Sequence, residues 1–172
     1  TPYDDSKVIS EGLIKSYGKH KDLRFVILRS WKLFGEYDVP TTAVNRFILA
    51  CLKGDRIELY NGGKDTTDPY HIENYCIALQ LCLEKDEAVG QAFNVGTGNE
   101  VSIRQLAELI KGLTKSNSEF VDSPPRTAAE SHPMRSYPSI DKIRRILGYE
   151  PAIGIEEGLR RTIRYHVNHA GQ

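Results

Sequence analysis

The sequence predicts an α/β fold with a parallel sheet, on three observations. A helical pattern over residues 3–18 runs directly into the short apolar run Leu23-Arg24-Phe25-Val26-Ile27-Leu28-Arg29. Such a run is the mark of a strand buried on both faces of a parallel sheet. Helices and short strands then alternate to the end of the chain. The buried strands are too few for a complete doubly wound sheet.

Element by element, Val8, Ile9, Leu13, Ile14 and Tyr17 recur at helical spacing up to Gly18, a helix with a glycine stop. After a loop with Gly35 and Pro40, residues 41–53 form an amphipathic helix with Val44, Phe47, Ile48 and Cys51 on one side, stopped by Gly54. Ile57-Glu58-Leu59-Tyr60 alternates as a half-exposed strand and Asn61-Gly62-Gly63 is a turn. Residues 72–84 read as helix, and Ala92-Phe93-Asn94-Val95 as a strand closed by Gly96-Thr97-Gly98. Ser102 and Gln105 stand in capping-box spacing at the start of a helix reaching Leu113. A short strand over 119–121 enters a proline-rich loop, and helices over 140–147 and 155–169 follow, with Gly148 and Pro151 between them.

The 172 residues are 40% apolar and 27% charged, a composition that suits about one compact unit. Twenty-three basic residues balance twenty-three acidic ones. That balance removes the electrostatic footprint of a nucleic-acid or anionic-membrane binder and favours a small-molecule or protein partner. The sequence holds no apolar run long enough to span a bilayer, and a cytoplasmic location is expected. Cys51, Cys76 and Cys82 lie in apolar helical segments and read as reduced core thiols; no metal site is expected.

Tyr3 and Lys7 are four apart at the start of the first helix, so one turn brings phenol and ammonium to the same face. A cation beside a phenol favours phenolate, and such a tyrosine exchanges a proton with a sugar hydroxyl or carbonyl. Alone, YxxxK reads sooner as a solvated helix face.

The order of motifs along the chain resembles the C-terminal half of the NAD-dependent epimerase/dehydratase family, the extended short-chain dehydrogenases/reductases. Pro2-Tyr3-Asp4-Asp5-Ser6-Lys7 is similar to that family's PYxxSK, and Leu28-Arg29-Ser30-Trp31-Lys32-Leu33-Phe34-Gly35 to its LRxxNVYG element. Gly62-Gly63-Lys64-Asp65-Thr66-Thr67-Asp68 with His71-Ile72-Glu73-Asn74 stands where the family has DGxxxRDxxxVxD. Phe93-Asn94-Val95-Gly96-Thr97-Gly98, Pro125-Arg126, Leu147-Gly148-Tyr149-Glu150-Pro151 and Glu156-Glu157-Gly158-Leu159 resemble its later motifs in order.

The resemblance implies the second half of a Rossmann-type parallel sheet plus a small substrate-binding α/β subdomain, divided as residues 1–60 and 61–172, the latter returning one helix and strand to the core. It implies an enzyme that transiently oxidises a nucleotide-linked sugar by hydride transfer to NAD or NADP. Tyr3 would be the acid/base; Lys7, with Tyr3, would contact the cofactor's nicotinamide ribose. Lys32, Asn94 and Arg126 would bind substrate, Arg126 at the diphosphate, where a guanidinium gives bidentate contacts. Homodimerisation through the helix at 3–18 is implied too, although packing of that helix on its own sheet predicts the same apolar pattern.

Several features limit this picture. Lys32, Thr67 and Asn74 replace the family's asparagine, arginine and aspartate. They motivate the alternative of a non-catalytic binding or regulatory protein on a degenerate scaffold. No GxxGxxG fingerprint is present, and Gly96-Thr97-Gly98 lacks its third glycine. The expectation is therefore a fragment of a longer enzyme, inactive alone.

Overall fold

The computed structural model describes residues 1–125 and 132–169. In chain order the elements are α1 (Pro2–Lys21), β1 (Ile27–Ser30), β2 (Lys32–Phe34), α2 (Ala43–Lys53), β3 (Ile57–Tyr60), β4 (Thr66–Thr67), β5 (Pro69–His71) and α3 (Ile72–Glu84). There follow β6 (Ala92–Val95), β7 (Val101–Ser102), α4 (Ile103–Thr114), β8 (Phe120–Ser123), β9 (Arg135–Ser136), α5 (Asp141–Leu147) and α6 (Ile155–His169).

Three parallel pairs carry the architecture: β1 with β6, β2 with β5, and β3 with β8. The antiparallel pair of β4 with β7 and the parallel pair of β4 with β9 make a fourth, three-stranded sheet. Only Trp31 separates β1 from β2, and its backbone N–H still donates to Val95. One extended run thus exchanges β6 for β5 as partner at that residue.

Two apolar cores result. In one, α2, α4 and α6 cover β3 and β8, with Phe34, Ile48, Ile57, Leu59 and Ile110 almost wholly buried. In the other, α3 and α5 pack on β1 and β6 around Phe93, Val95, Tyr70, Ile143 and Tyr149. Each such aliphatic or aromatic side chain contributes roughly 1.5–3 kcal/mol through burial. The capping boxes at Thr1 and Ser102 and the Thr42 cap fix the starts of α1, α4 and α2.

Four expectations are corrected. The first helix runs past Gly18 to Lys21 and ends at Asp22, whose φ is 50°. Gly18 stays helical and packs on the Phe25 ring, where no side chain would fit: a Cβ there would lie 2.3 Å from that ring. The strand expected over 23–29 is confined to Ile27–Ser30, with Leu23, Arg29 and Ser30 exposed. Only Ile27 of it is buried, so it is not buried on both faces, and among the described residues it pairs with β6 along one edge only. Cys51 and Cys82 are core thiols as expected, but Cys76 lies on the outer side of α3.

Asn74 is fully buried and makes a reciprocal pair with Ile153, donating to its carbonyl at 2.8 Å and accepting from its N–H at 2.9 Å. Only an amide serves both partners, which explains this residue where the related pattern has aspartate. Asn74→Asp is expected to cost about 1–3 kcal/mol in urea unfolding, because it sets a carboxylate against a buried carbonyl. A loss under about 0.5 kcal/mol would refute that account.

Candidate functional site

The predicted acid/base pair sits at the free end of α1. Lys7 Nζ lies 5.1 Å from the centroid of the Tyr3 ring, so the two share one helix face as their spacing predicts. Tyr3 is 69% exposed, and its hydroxyl has no hydrogen bond among the described residues.

What places this pair is the tie between α1 and β1. Glu11 and Gly18 are the only residues of α1 that are not fully exposed. Gly18 meets Phe25, while Glu11 takes a two-pronged contact from Arg29, Nε–Oε1 at 2.7 Å and Nη2–Oε2 at 2.6 Å. The helix therefore runs antiparallel to β1. At about 1.5 Å per residue, Lys7 lies about 6 Å and Tyr3 about 12 Å beyond Glu11, toward the carboxyl end of the strand. Arg29 is one residue from that end and stands opposite Asn94 on β6. Ligands of open α/β sheets bind outside such carboxyl ends.

Of the expected substrate residues, Lys32 opens β2 with its backbone opposite Pro69. Its side chain is exposed and makes no ion pair or hydrogen bond among the described residues. Asn94 is half-buried and donates to Ser139 O at a long 3.5 Å, so it is only loosely engaged. Arg126 lies outside the described residues. Thr67, where the related pattern has arginine, is buried, and its hydroxyl has no partner among the described residues.

Asp68 is the residue whose role the sequence did not disclose. It is fully buried, and its carboxylate accepts from the backbone N–H groups of Thr97 at 2.7 Å and Gly98 at 2.8 Å, and from the Thr97 hydroxyl at 2.5 Å. Gly96 must be glycine, since a Cβ would stand 2.5 Å from Asp68 Oδ2 and 2.7 Å from Pro138 Cγ. The Gly96-Thr97-Gly98 turn, which looks like a phosphate cradle, is already filled by this chain's own anion. Its only signal in the sequence is an aspartate beside two threonines, with the partner 29 positions away.

Two other tyrosines of the second core are poor acid/base groups. Burial pushes the Tyr70 and Tyr149 phenols well above their ordinary range, and the nearby Asp68 charge adds to this for Tyr149, whose hydroxyl donates to Gly96 O at 3.0 Å. The long loop is clipped shut at its far end. Arg135 grips Glu100 with both nitrogens, at 2.8 and 2.5 Å, and Thr66 donates to the same carboxylate. These contacts hold the Glu100 carboxyl down at about 2. A depressed carboxyl contributes stability above its unfolded value that is lost as pH falls through the folded one. Loosening of β9 is therefore expected as pH drops from about 4.5 toward 2, read as a falling protection factor, relative to intrinsic exchange at each pH, for the Thr66 amide, which donates to Met134 O. An unchanged Thr66 protection factor across that window would refute the clip.

No helix among the described residues is long and apolar enough to cross a membrane, and none of their His, Cys, Asp and Glu side chains form a metal-binding group of three. A sequence profile described as GDP-mannose 4,6 dehydratase matches residues 1–162. UDP-glucuronic acid decarboxylase 1 of Danio rerio is 29% identical over 165 residues, spanning 95% of this chain and 38% of the relative. The UDP-glucose 4-epimerase of Thermotoga maritima, solved with UDP-glucose, superposes with a TM-score of 0.91 at 27% identity, covering 98% of this chain and 54% of that one. The dTDP-glucose 4,6-dehydratase of Streptomyces venezuelae, solved with NAD, gives 0.87 at 26% identity over 99% and 52%. The chain spans about half the length of these proteins, or less. By the profile match across nearly its whole length, it belongs to the GDP-mannose 4,6 dehydratase family of NAD-dependent nucleotide-sugar epimerases and dehydratases.

Proposed function

We propose that this chain supplies the catalytic helix and the substrate-binding lobe of an NAD- or NADP-dependent enzyme that transiently oxidises a nucleotide-linked sugar. The observation that carries this reading is the Tyr3–Lys7 pair on one exposed face of α1, projected beyond the carboxyl ends of β1 and β6. A nicotinamide held beside Tyr3 and Lys7 would supply the acceptor for a hydride from the sugar carbon. Tyr3 Oη takes the proton of the hydroxyl on that carbon and returns it later. Lys7, whose ammonium lies over the Tyr3 ring, contacts ribose hydroxyls. Lys32, Asn94 and Arg126 hold the nucleotide sugar. The free charge of Lys32 at the carboxyl edge supplies a cation where Thr67 supplies none.

The Gly96-Thr97-Gly98 turn offers the dinucleotide's pyrophosphate no cradle, because Asp68 fills it. We therefore assign that role to a dinucleotide-binding region beyond these residues, consistent with the open edge of β1 and with the length of the relatives. The two apolar cores support a division in which β1, β6, α3 and α5 belong with the cofactor-binding sheet, while α2, β3, α4, β8 and α6 form the substrate lobe. Exposed Val8, Ile9, Leu13 and Ile14 on α1 suit a homodimer contact, and the three free thiols suit the cytoplasm.

The 172-residue chain alone, given NAD and a panel of UDP- and dTDP-hexoses, is expected to show no turnover. The same chain joined to a dinucleotide-binding region is expected to be active. Robust turnover by the chain alone would overturn the division of labour. A non-catalytic binding protein is the second reading, favoured by the buried, unpartnered Thr67 hydroxyl where an arginine is expected.

A further inference from the structure

The geometry points to Glu11 and Arg29 as a positioning pair for the reaction: their fork sets the height and rotation of α1, and with them the place of Tyr3 Oη over the carboxyl ends of β1 and β6. The inference rests on the reading of Tyr3 as acid/base.

Four observations support it. Tyr3, Lys7 and Glu11 follow one another at intervals of four, so the residue that anchors the helix lies on the same side as the pair it presents. The anchor is strong in geometry, both guanidinium prongs lying within 2.7 Å of the two carboxylate oxygens. Among the described residues its one companion on α1 is Gly18, which packs on Phe25 some 10 Å further along the axis. Its far end is fixed as well, because Arg29 is held in the β1–β6 register opposite Asn94. Lys15 Nζ also approaches Glu11 Oε2 at 3.6 Å, and Lys7 lies one turn to the other side. The acidic residue is therefore flanked by cations and stays ionised.

Such a pair contributes little to stability. The Arg29 side chain is 49% exposed, and surface ion pairs of this kind are worth little against salt and solvent. What a two-pronged contact supplies is orientation. Loss of this contact lets the Tyr3 end of α1 shift, and a displacement of about 1 Å at a reacting group can lower a rate about 100-fold.

The test is steady-state kinetics of the cofactor-loaded holoenzyme, with Tyr3→Phe as control. Glu11→Gln and Arg29→Gln are each expected to lower kcat roughly 10- to 100-fold, with KM for the nucleotide sugar unchanged within about twofold. The double variant is expected to be no worse than either single one, since both changes break the same contact. Arg29→Lys and Glu11→Asp, which keep the charge and lose the fork or its reach, should fall between these and wild type. If a glutamine variant fails to fold, Glu11→Asp alone decides: a reduced kcat at unchanged KM supports the pair, and wild-type kcat overturns it. Abolished turnover in Tyr3→Phe, with kcat within twofold of wild type in both glutamine variants, would sink the positioning role and leave the reading of the site standing. Unchanged turnover in Tyr3→Phe would remove the reading itself.

Discussion

Replacing Tyr3 with phenylalanine is expected to lower kcat about 10²- to 10⁴-fold in the cofactor-loaded enzyme, the range lost when a positioned general acid/base is removed. The substitution is well isolated. Tyr3 is 69% exposed, its hydroxyl holds nothing else in the described structure, and α1 is capped by Thr1 and Asp4 independently of it. Helicity and thermal stability should therefore be unchanged, and a loss of rate reads chemistry alone. Lys7→Ala should lower both kcat and apparent cofactor affinity, because it removes the neighbouring cation and a ribose contact together. If Tyr3→Phe turns over at the wild-type rate, Tyr3 is not the acid/base and the reading of the site fails.

The largest expected effect on folding is at Asp68. Asp68→Ala leaves the Thr97 and Gly98 N–H groups and the Thr97 hydroxyl without their acceptor in a part-buried turn, at a cost of roughly 3–5 kcal/mol. Against a typical total of about 5–15 kcal/mol that is a large share, to be measured by urea unfolding with circular dichroism. Asp68→Asn keeps one acceptor and brings an NH2 against an N–H, so it should lie between the two. The damage should spread to Asn94, two residues before Gly96, and so reach the candidate site as well. A change under about 1 kcal/mol in Asp68→Ala would show that water replaces the carboxylate and that the turn stands by itself.

The parts of this molecule legible in the sequence are those with local causes. Residues 72–84 and 92–95 emerge as expected, and the Ser102/Gln105 capping box opens α4 as its spacing requires. The parts that were not legible depend on contacts far along the chain. Lys32-Leu33-Phe34 reads as a loop after the apolar run, and becomes a strand only because Pro69-Tyr70-His71 arrives beside it. Thr66-Thr67 and Arg135-Ser136 are too short to show any alternation. Gly18 carries the local signal of a helix stop, but it is the glycine that lets the Phe25 ring pack close, and the helix runs on to Lys21. At the site, the Tyr3–Lys7 spacing was visible because it lies within one helical turn. The Asp68 contact with Thr97 and the Glu11 contact with Arg29 were hidden, because no local periodicity links residues in different elements.

The chain's one tryptophan stands at the point where β1 gives way to β2. Its indole N–H donates to Ser136 O at 2.8 Å, joining the β1–β6 pair to the strand that closes the long loop. The ultraviolet emission of this protein therefore comes, on the tryptophan side, from a single position that senses both. Release of β9 from β4 exposes the indole to water and shifts its emission to the red while the helices persist. Emission and far-ultraviolet dichroism should then part company wherever the loop opens before the cores melt, making the seam between the two halves of the fold visible without any added label.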